Sequence, residues 1–275
     1  MLPRDSQESC NDSRLRSRNR NLRPERYRLG HAPIAWRNDD IPEVGEWNTI
    51  DVMFVDLAEA GFAGTEVAGW YPSKKETKEK ADAAGLTIVA QWFSSFIVRD
   101  GVEAIIPGFR ATCEYLRYLG ATRIVVSEQT GSVQGVRDIY IFDNKPVLKD
   151  EEWPVLTQGL NKLGEIAHKY GLDLVYHHHL GTVIQTKDET LRLLELTDPD
   201  KVSLLFDTGH AFVGDGDVIG LLRLEHLPLI GALAPVVRAC AWAGRRLAAC
   251  ILQRVFEPLV IAATVPLLVS QKLPT

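Results

Sequence analysis

Residues 172–210 read LDLVYHHHLGTVIQTKDETLRLLELTDPDKVSLLFDTGH and hold two apolar runs with an amphipathic segment between them. LDLVYH (172–177) and VSLLFD (202–207) are nearly continuous in apolar residues, which is typical of parallel strands buried on both faces. Helical spacing of apolar residues predicts a helix over 188–197. A strand, a crossover helix and a second strand make a βαβ unit, so this stretch predicts an α/β fold built on a parallel sheet.

The same pattern recurs upstream. The other predicted strands are HAPIAW (31–36), GTEVA (64–68), LTIVAQWF (86–93) and TRIVV (122–126). The other predicted helices cover residues 48–60, 73–85, 102–119 and 150–170. Six such units favour a TIM-type (β/α)8 barrel, which usually needs about 250 residues. The first strand is not followed by GxGxxG, so a dinucleotide-binding sheet lacks its main support.

The chain divides into three parts by composition. Residues 1–28 contain eight arginines and four acids and have too few apolar residues for a core, so we expect a disordered basic tail. Residues 29–223 carry the barrel portion. Residues 224–275 turn abruptly rich in Ala, Arg, Leu and Cys, a change typical of a shifted reading frame or a mis-spliced end. We therefore expect a barrel that is incomplete after strand six, with this apolar segment packed as irregular helices over the open side.

Charge and cysteine content narrow the classes of partner. The chain has 31 Lys plus Arg and 36 Asp plus Glu, a net charge of −5, which disfavours nucleic-acid binding. Arginines and prolines interrupt the apolar C-terminal stretches, which disfavours a membrane span. The four cysteines form no CxxC pair, so reduced thiols and a cytoplasmic location are expected. These observations favour a small-molecule partner.

Polar residues gather where the predicted strands end, which is where barrel enzymes place their active sites. These residues are Trp36, Asn38, Asp39, Glu66, Gln91, Trp92, Glu128, His177, His178, His179, Asp207 and His210. Alternation along a strand puts His177 and His179 on one side and His178 on the other. Imidazole and carboxylate together suit Zn, Mn, Fe or Co. Other interpretations stay open: loop histidines with backbone partners, and Asp207 as a helix N-cap. Glu66 and Glu128 are each open as a metal ligand, a base or an ion-pair partner.

Several segments resemble the inosose dehydratase family of the xylose-isomerase-like barrel superfamily. They are RLGHAPIAWRNDDIPEVG (28–45), AGFAGTEVAGWYP (60–72), VVSEQTGSVQG (125–135), LVYHHHLGTVIQTKDE (174–189) and TDPDKVSLLFDTGHAFVGDGD (197–217). The resemblance implies a lyase that removes water from 2-keto-myo-inositol (scyllo-inosose), giving a trihydroxycyclohexane-dione in inositol catabolism. It also implies a divalent metal, Mn²⁺ or Co²⁺, and glutathione as a further cofactor.

The resemblance and the strand-end pattern together assign roles to the candidate residues. We expect His177, His179, His210 and Glu66 to be catalytic, and Glu128, Asp207 and His179 to bind metal. We expect Trp36, Asn38, Asp39 and Gln185 to bind substrate. Two alternatives remain: a metal-dependent sugar isomerase or epimerase of the same superfamily, and a truncated family product without activity, because the last two barrel strands are not recognisable.

Overall fold

The computed structural model describes residues 28–39, 41, 43–136, 138–215, 218, 229–232 and 267–269. The strands form one sheet in the order β7-β6-β5-β4-β3-β2-β1-β8, and neighbours from β1 to β7 are parallel. The strands are β1 (Arg28–His31), β2 (Gly64–Val67), β3 (Thr87–Ser95), β4 (Arg123–Glu128), β5 (Asp173–His177), β6 (Val202–Phe206), β7 (Leu229–Ala232) and β8 (Leu267–Val269).

Helices connect successive strands and cover the outer face of the sheet. They are α1 (Ile50–Glu59), α2 (Lys74–Ala83), α3 (Ile97–Asp100), α4 (Val102–Leu119), α5 (Ile141–Asn144), α6 (Glu152–Lys169), α7 (Lys187–Leu196) and α8 (Thr208–Asp215). The long amphipathic helices occur where the apolar spacing predicts them. Among the described residues, no helix is long and apolar enough to cross a bilayer.

Side chains of the strands alternate between an inner and an outer face. Val125 of β4 and Val175 of β5 share a small apolar cluster with Trp92 of β3. Tyr176, the next residue along β5, belongs instead to the large core between sheet and helices. Because alternate residues share a face, His177 continues the inner face of Val175. The imidazole of His177, at the end of β5, therefore lies on the interior side of the barrel.

The first strand ends earlier than the sequence predicts. β1 stops at His31, and Pro33–Ala35 form a 3₁₀ turn that is capped by Trp36. Proline lacks a backbone N–H and fixes φ near −65°, which suits the start of a helical turn better than a paired strand. The predicted strand over 31–36 is therefore wrong beyond His31, and Trp36 lies in a turn.

Two short segments beyond residue 223 also join the sheet. β7 pairs parallel to β6, whereas β8 pairs antiparallel to β1. An all-parallel (β/α)8 barrel needs a parallel eighth strand, so the regular pattern of the barrel is incomplete. The predictions of a disordered tail and of irregular C-terminal helices fall on residues 1–27 and on most of 224–275, outside the described residues.

Candidate active site

Three side chains converge where β5 and β6 end: His177, Asp207 and His210. One ligand atom from each lies within 4.8 Å of the other two. Oδ2 of Asp207 lies 3.6 Å from Nε2 of His177. Oδ1 of Asp207 accepts a 2.9 Å hydrogen bond from the backbone N–H of His210, at the start of α8. One oxygen thus caps the helix, as the N-cap interpretation predicts, and the other faces an imidazole.

The local electrostatics favour an ionised Asp207 and a neutral His210. Burial would raise the pKa of Asp207, but contact with His177 and the proximity of His210 outweigh it and hold that pKa well below its usual range. Burial lowers the pKa of His210 to about 3, although Asp207 opposes the shift. An ionised carboxylate beside a neutral imidazole is the state that metal ligation requires.

His179 lies beside both His210 and His177. The two rings are 3.8 Å apart between centroids. Nδ1 of His179 lies 2.8 Å from the carbonyl oxygen of Leu180. A carbonyl only accepts, so Nδ1 carries the proton and Nε2 of the neutral ring keeps its lone pair. Burial, followed by the neighbouring His210 and His177, lowers the pKa of His179 well below its usual value. His179 is therefore a neutral imidazole with a free acceptor nitrogen.

His178 occupies the other face of the strand, as alternation predicts. Its ring is buried beside Phe206, and its Nε2 accepts a 3.3 Å hydrogen bond from the backbone N–H of Asp207. Burial, with a smaller effect of His177, lowers its pKa to about 3. His178 therefore joins β5 to the residue that carries the carboxylate, without facing the inner side.

Trp92 belongs to the site although no role was predicted for it. Its indole makes edge contacts with His177 and His179, with ring centroids 5.5 and 5.8 Å away. The indole N–H donates to Oγ of Ser94 at 2.8 Å, which fixes the ring. Trp92 is among the residues at the predicted strand ends, but the sequence alone could not show that its side chain lies on the same face of the sheet as His177 and His179.

Glu66 approaches the same cluster from β2. It is half-buried, and its carboxylate interacts electrostatically with His177. Burial raises the pKa of Glu66 above its ordinary value, and the smaller influence of His177 opposes this. A carboxyl group with a raised pKa is suited to carry and donate a proton.

Glu128 does not join the cluster, contrary to the predicted metal role. Its carboxylate is fully buried and accepts hydrogen bonds from Oγ of Ser95 (2.6 Å), from the backbone N–H of Ile97 (2.9 Å) and Val98 (3.4 Å), and from the N–H and hydroxyl of Thr130. Val125 faces inward and Glu128 lies three residues later, so alternation along β4 puts Glu128 on the outer side, facing α3. The hydrogen bonds of this carboxylate therefore connect the segment after β3 to the segment after β4.

Replacing Glu128 with Gln should therefore lower stability rather than metal binding. The amide nitrogen cannot accept the bonds that one carboxylate oxygen now receives, and a loss of about 2–4 kcal/mol in the free energy of unfolding is expected. Urea denaturation measures it, and Glu103→Gln on the exposed surface of α4 is the matched control. Unchanged stability together with weaker metal binding would restore the ligand role.

The predicted substrate residues of the first loop are each engaged near β1 and β2. The indole N–H of Trp36 donates to Oδ2 of Asp56 at 2.7 Å. Oδ1 of Asn38 accepts from the backbone N–H of Ile41, and Oδ2 of Asp39 accepts from that of Gly69. Trp36 is thus turned toward α1, while Asn38 and Asp39 shape the loops that follow the first two strands.

Gln185 is buried, and its side-chain oxygen is used within its own loop. Oε1 accepts a 2.8 Å hydrogen bond from the backbone N–H of Gly181. Its backbone N–H donates to Oε2 of Glu189 at 2.9 Å. The predicted substrate contact is therefore left to the amide nitrogen and to the second lone pair of Oε1.

The His177, Asp207 and His210 group fits a divalent cation on its own chemistry. Nε2 of His177 is buried without a hydrogen-bond partner in the described part of the chain, and 3.6 Å to Asp207 is too long for a hydrogen bond. A buried polar atom without a partner costs free energy unless it binds something. Two imidazoles and one carboxylate are ligands that borderline divalent metals accept.

The chain is similar to known proteins in both sequence and fold. The family model described as xylose isomerase-like TIM barrel matches residues 54–234. The chain is 46% identical to an inosose dehydratase of Bacillus velezensis over 232 residues, covering 82% of this chain and 78% of that protein. It is also 46% identical to an inosose dehydratase of Salmonella typhimurium over 235 residues, covering 83% of this chain and 78% of that protein.

Among solved structures, a xylose isomerase-like TIM barrel protein from Mycobacterium smegmatis in complex with magnesium superposes with a TM-score of 0.54 at 18% identity. The match covers 69% of this chain and 67% of that one. This likeness supports the fold. With 46% identity to both dehydratases over more than four-fifths of its length, the chain belongs to the inosose dehydratase family of xylose isomerase-like TIM barrels.

Proposed function

We propose that this chain is a hydro-lyase that dehydrates 2-keto-myo-inositol to a trihydroxycyclohexane-dione. The observation that carries the proposal is the inner-face cluster of His177, Asp207 and His210, with His179 and Glu66 beside it, in a chain 46% identical to inosose dehydratases. Elimination next to a ketone needs a base for the α-proton, an acid for the leaving hydroxyl and a positive charge near the carbonyl.

The cluster supplies a place for the positive charge. His177, Asp207 and His210 would hold the cation, and we propose Mn²⁺ or Co²⁺. When bound, such an ion polarises the ketone and stabilises the negative charge that develops as the α-proton leaves. The ring of His179 contacts that of His210, so a third imidazole lies beside the proposed cation site.

The proton steps use His179 and Glu66. Nε2 of His179 takes the α-proton, because its Nδ1–H is held by the carbonyl of Leu180. The C–O bond to the β-hydroxyl breaks, and Glu66 gives its proton so that the hydroxyl leaves as water. The resulting enol tautomerises to the dione. The raised pKa of Glu66 and the lowered pKa of His179 favour these opposite starting states.

We propose that the loops beside the histidine and Asp207 cluster bind the hydroxyl groups of the substrate. Trp36, Asn38 and Asp39 follow β1, and Gln185 follows β5, so the loops that carry them border the carboxyl ends of the strands. Glutathione as a second cofactor and a cytoplasmic location are further proposals that rest on family resemblance. The net charge of −5 supports a small-molecule partner over nucleic acid.

Removal of divalent metal should abolish turnover of scyllo-inosose by the purified 275-residue chain. EDTA is expected to stop the reaction, and Mn²⁺ or Co²⁺ to restore it, since the cation carries the charge stabilisation. Mass spectrometry of the product separates the alternatives, because dehydration loses one water whereas isomerisation or epimerisation leaves the mass unchanged. Full activity in chelated, metal-free protein would refute the metal role.

A further inference from the structure

Lys145 forms a half-buried ion pair with Glu189, which lies 44 residues further along the chain. Nζ of Lys145 lies 2.6 Å from Oε1 of Glu189, and the side chains are only 11% and 17% exposed. Lys145 lies in the long segment between β4 and α6, and Glu189 lies in the first turn of α7. A pair this sheltered is screened by water far less than the ion pairs on the protein surface.

Glu189 uses its second oxygen to fix the turn that leads into α7. Oε2 accepts hydrogen bonds from the backbone N–H groups of Gln185 and Thr186, both at 2.9 Å. The hydroxyl of Thr186 in turn accepts from the backbone N–H of Glu189, which completes a capping box. Lys145 therefore holds the side chain on which this capping box depends.

The same turn closes onto the histidine strand. The side chain of Gln185 accepts from the N–H of Gly181, and the backbone N–H of His179 donates to the carbonyl of Ile184 at 3.1 Å. The buried hydroxyl of Thr182 donates to the carbonyl of His179 at 2.8 Å. Residues 179–186 thus form one hydrogen-bonded loop, called here the histidine loop, with His179 at its start.

The segment that carries Lys145 also contacts the histidine loop directly. The backbone N–H of Val133 donates to the carbonyl of Gly181 at 2.9 Å. Gly181 has φ +79°, and a Cβ there would approach the backbone nitrogen of Gln134 to 3.1 Å. The contact therefore needs glycine, and the Lys145–Glu189 pair is the second, ionic attachment between the two segments.

We propose that Lys145 is a positioning residue: through Glu189 it locks the histidine loop and so sets the orientation of the His179 imidazole. This extends the proposed function, since it assigns Lys145 to the placement of the proposed base. The sequence after the histidines reads GTVIQTKDE (181–189). The hydrogen bonds of the histidine loop and its capping box use five of these residues: Gly181, Thr182, Gln185, Thr186 and Glu189.

Lys145→Met tests the proposal in the full chain, with Lys145→Arg as the conservative variant and Lys201→Met as the matched control. Lys201 pairs with Glu165 at 2.7 Å but is 30% exposed and lies away from the histidine loop. Amide hydrogen exchange is measured at Gly181 and Gln185, kcat and KM are measured with scyllo-inosose, and urea denaturation gives the stability of each variant.

We expect Lys145→Met to speed exchange at Gly181 and Gln185 by about tenfold or more and to lower kcat about tenfold with little change in KM, because a displaced base affects the chemical step. Lys145→Arg should recover most of both losses, and Lys201→Met should leave both unchanged. Wild-type exchange at Gly181 in Lys145→Met, or equal effects from Lys201→Met, would overturn the lock. If the wild-type chain leaves scyllo-inosose unchanged, the proposed function fails, while the exchange rates still decide the lock.

Discussion

Asp207→Asn is expected to lower kcat/KM for scyllo-inosose by about 10³-fold, equivalent to about 4 kcal/mol of transition-state stabilisation. The substitution removes the negative charge that faces His177 and keeps the shape of the side chain. Divalent metal should bind about 100-fold more weakly in a calorimetric titration. Stability in urea should fall much less than activity, because the amide oxygen can still accept the hydrogen bond from the N–H of His210 and only the attraction between the carboxylate and His177 is lost.

Asp198→Asn is the matched control for this variant. Oδ1 of Asp198 likewise accepts a backbone hydrogen bond, from Asp200 at 3.0 Å, but Asp198 lies on the surface with its carboxylate against Lys201. It should keep full activity. Near-normal turnover of Asp207→Asn would show that the carboxylate serves only as the cap of α8, and the proposed metal site would then be wrong.

Acidification should destabilise the metal-free protein strongly between pH 6.5 and about 3. His178 and His210 have pKa values near 3 when folded, mainly because burial disfavours their charged forms, against 6.5 when unfolded. In this window the unfolded chain binds more protons, so the free energy of unfolding falls as the pH falls. These two residues alone predict a loss of about 4 kcal/mol between pH 7 and pH 5.

Glu66 acts in the opposite direction, since its raised pKa lets the folded state bind the extra proton. Glu66 can bind at most one extra proton in the folded state, which between pH 7 and pH 5 offsets less than the two histidines contribute, so acidification still lowers the free energy of unfolding. Urea denaturation at pH 7 and pH 5 in the presence of EDTA measures the loss. His178→Gln should reduce the loss by about half, and a stability that is flat over this range would mean that the histidines are charged in the folded protein.

The strand periodicity explains which site residues were predictable. The apolar runs before His177 and Asp207 mark buried strands, and the carboxyl ends of neighbouring parallel strands meet, so their convergence could be expected. Glu128 also follows such a run, but it falls on the outer face, where loop backbone rather than a ligand surrounds it. Position at a strand end is readable from a sequence. Which face of the sheet a residue occupies depends on the register of its strand, and for β4 only the structure shows that register.

Side-chain partners distant in sequence were beyond prediction for a similar reason. Glu189 looks like an ordinary polar residue in the first turn of a helix, and only the fold shows that it pairs with Lys145, 44 residues before it. The turn at Pro33 could have been anticipated, because proline disfavours a paired strand. The pairing of β8 with β1 could not, since the sequence around residues 267–269 carries no βα pattern.

The His177, Asp207 and His210 cluster comes from a single βαβ unit rather than from strands spread around the barrel. Loop-closure entropy grows with the separation of the joined residues, so a site drawn from neighbours in sequence costs comparatively little to assemble. A bound cation would fasten β5 to β6 and raise the free energy of separating them by mass action. It would exert no direct hold on the seam between β8 and β1. We therefore expect local opening of that seam to leave the affinity for the cation unchanged.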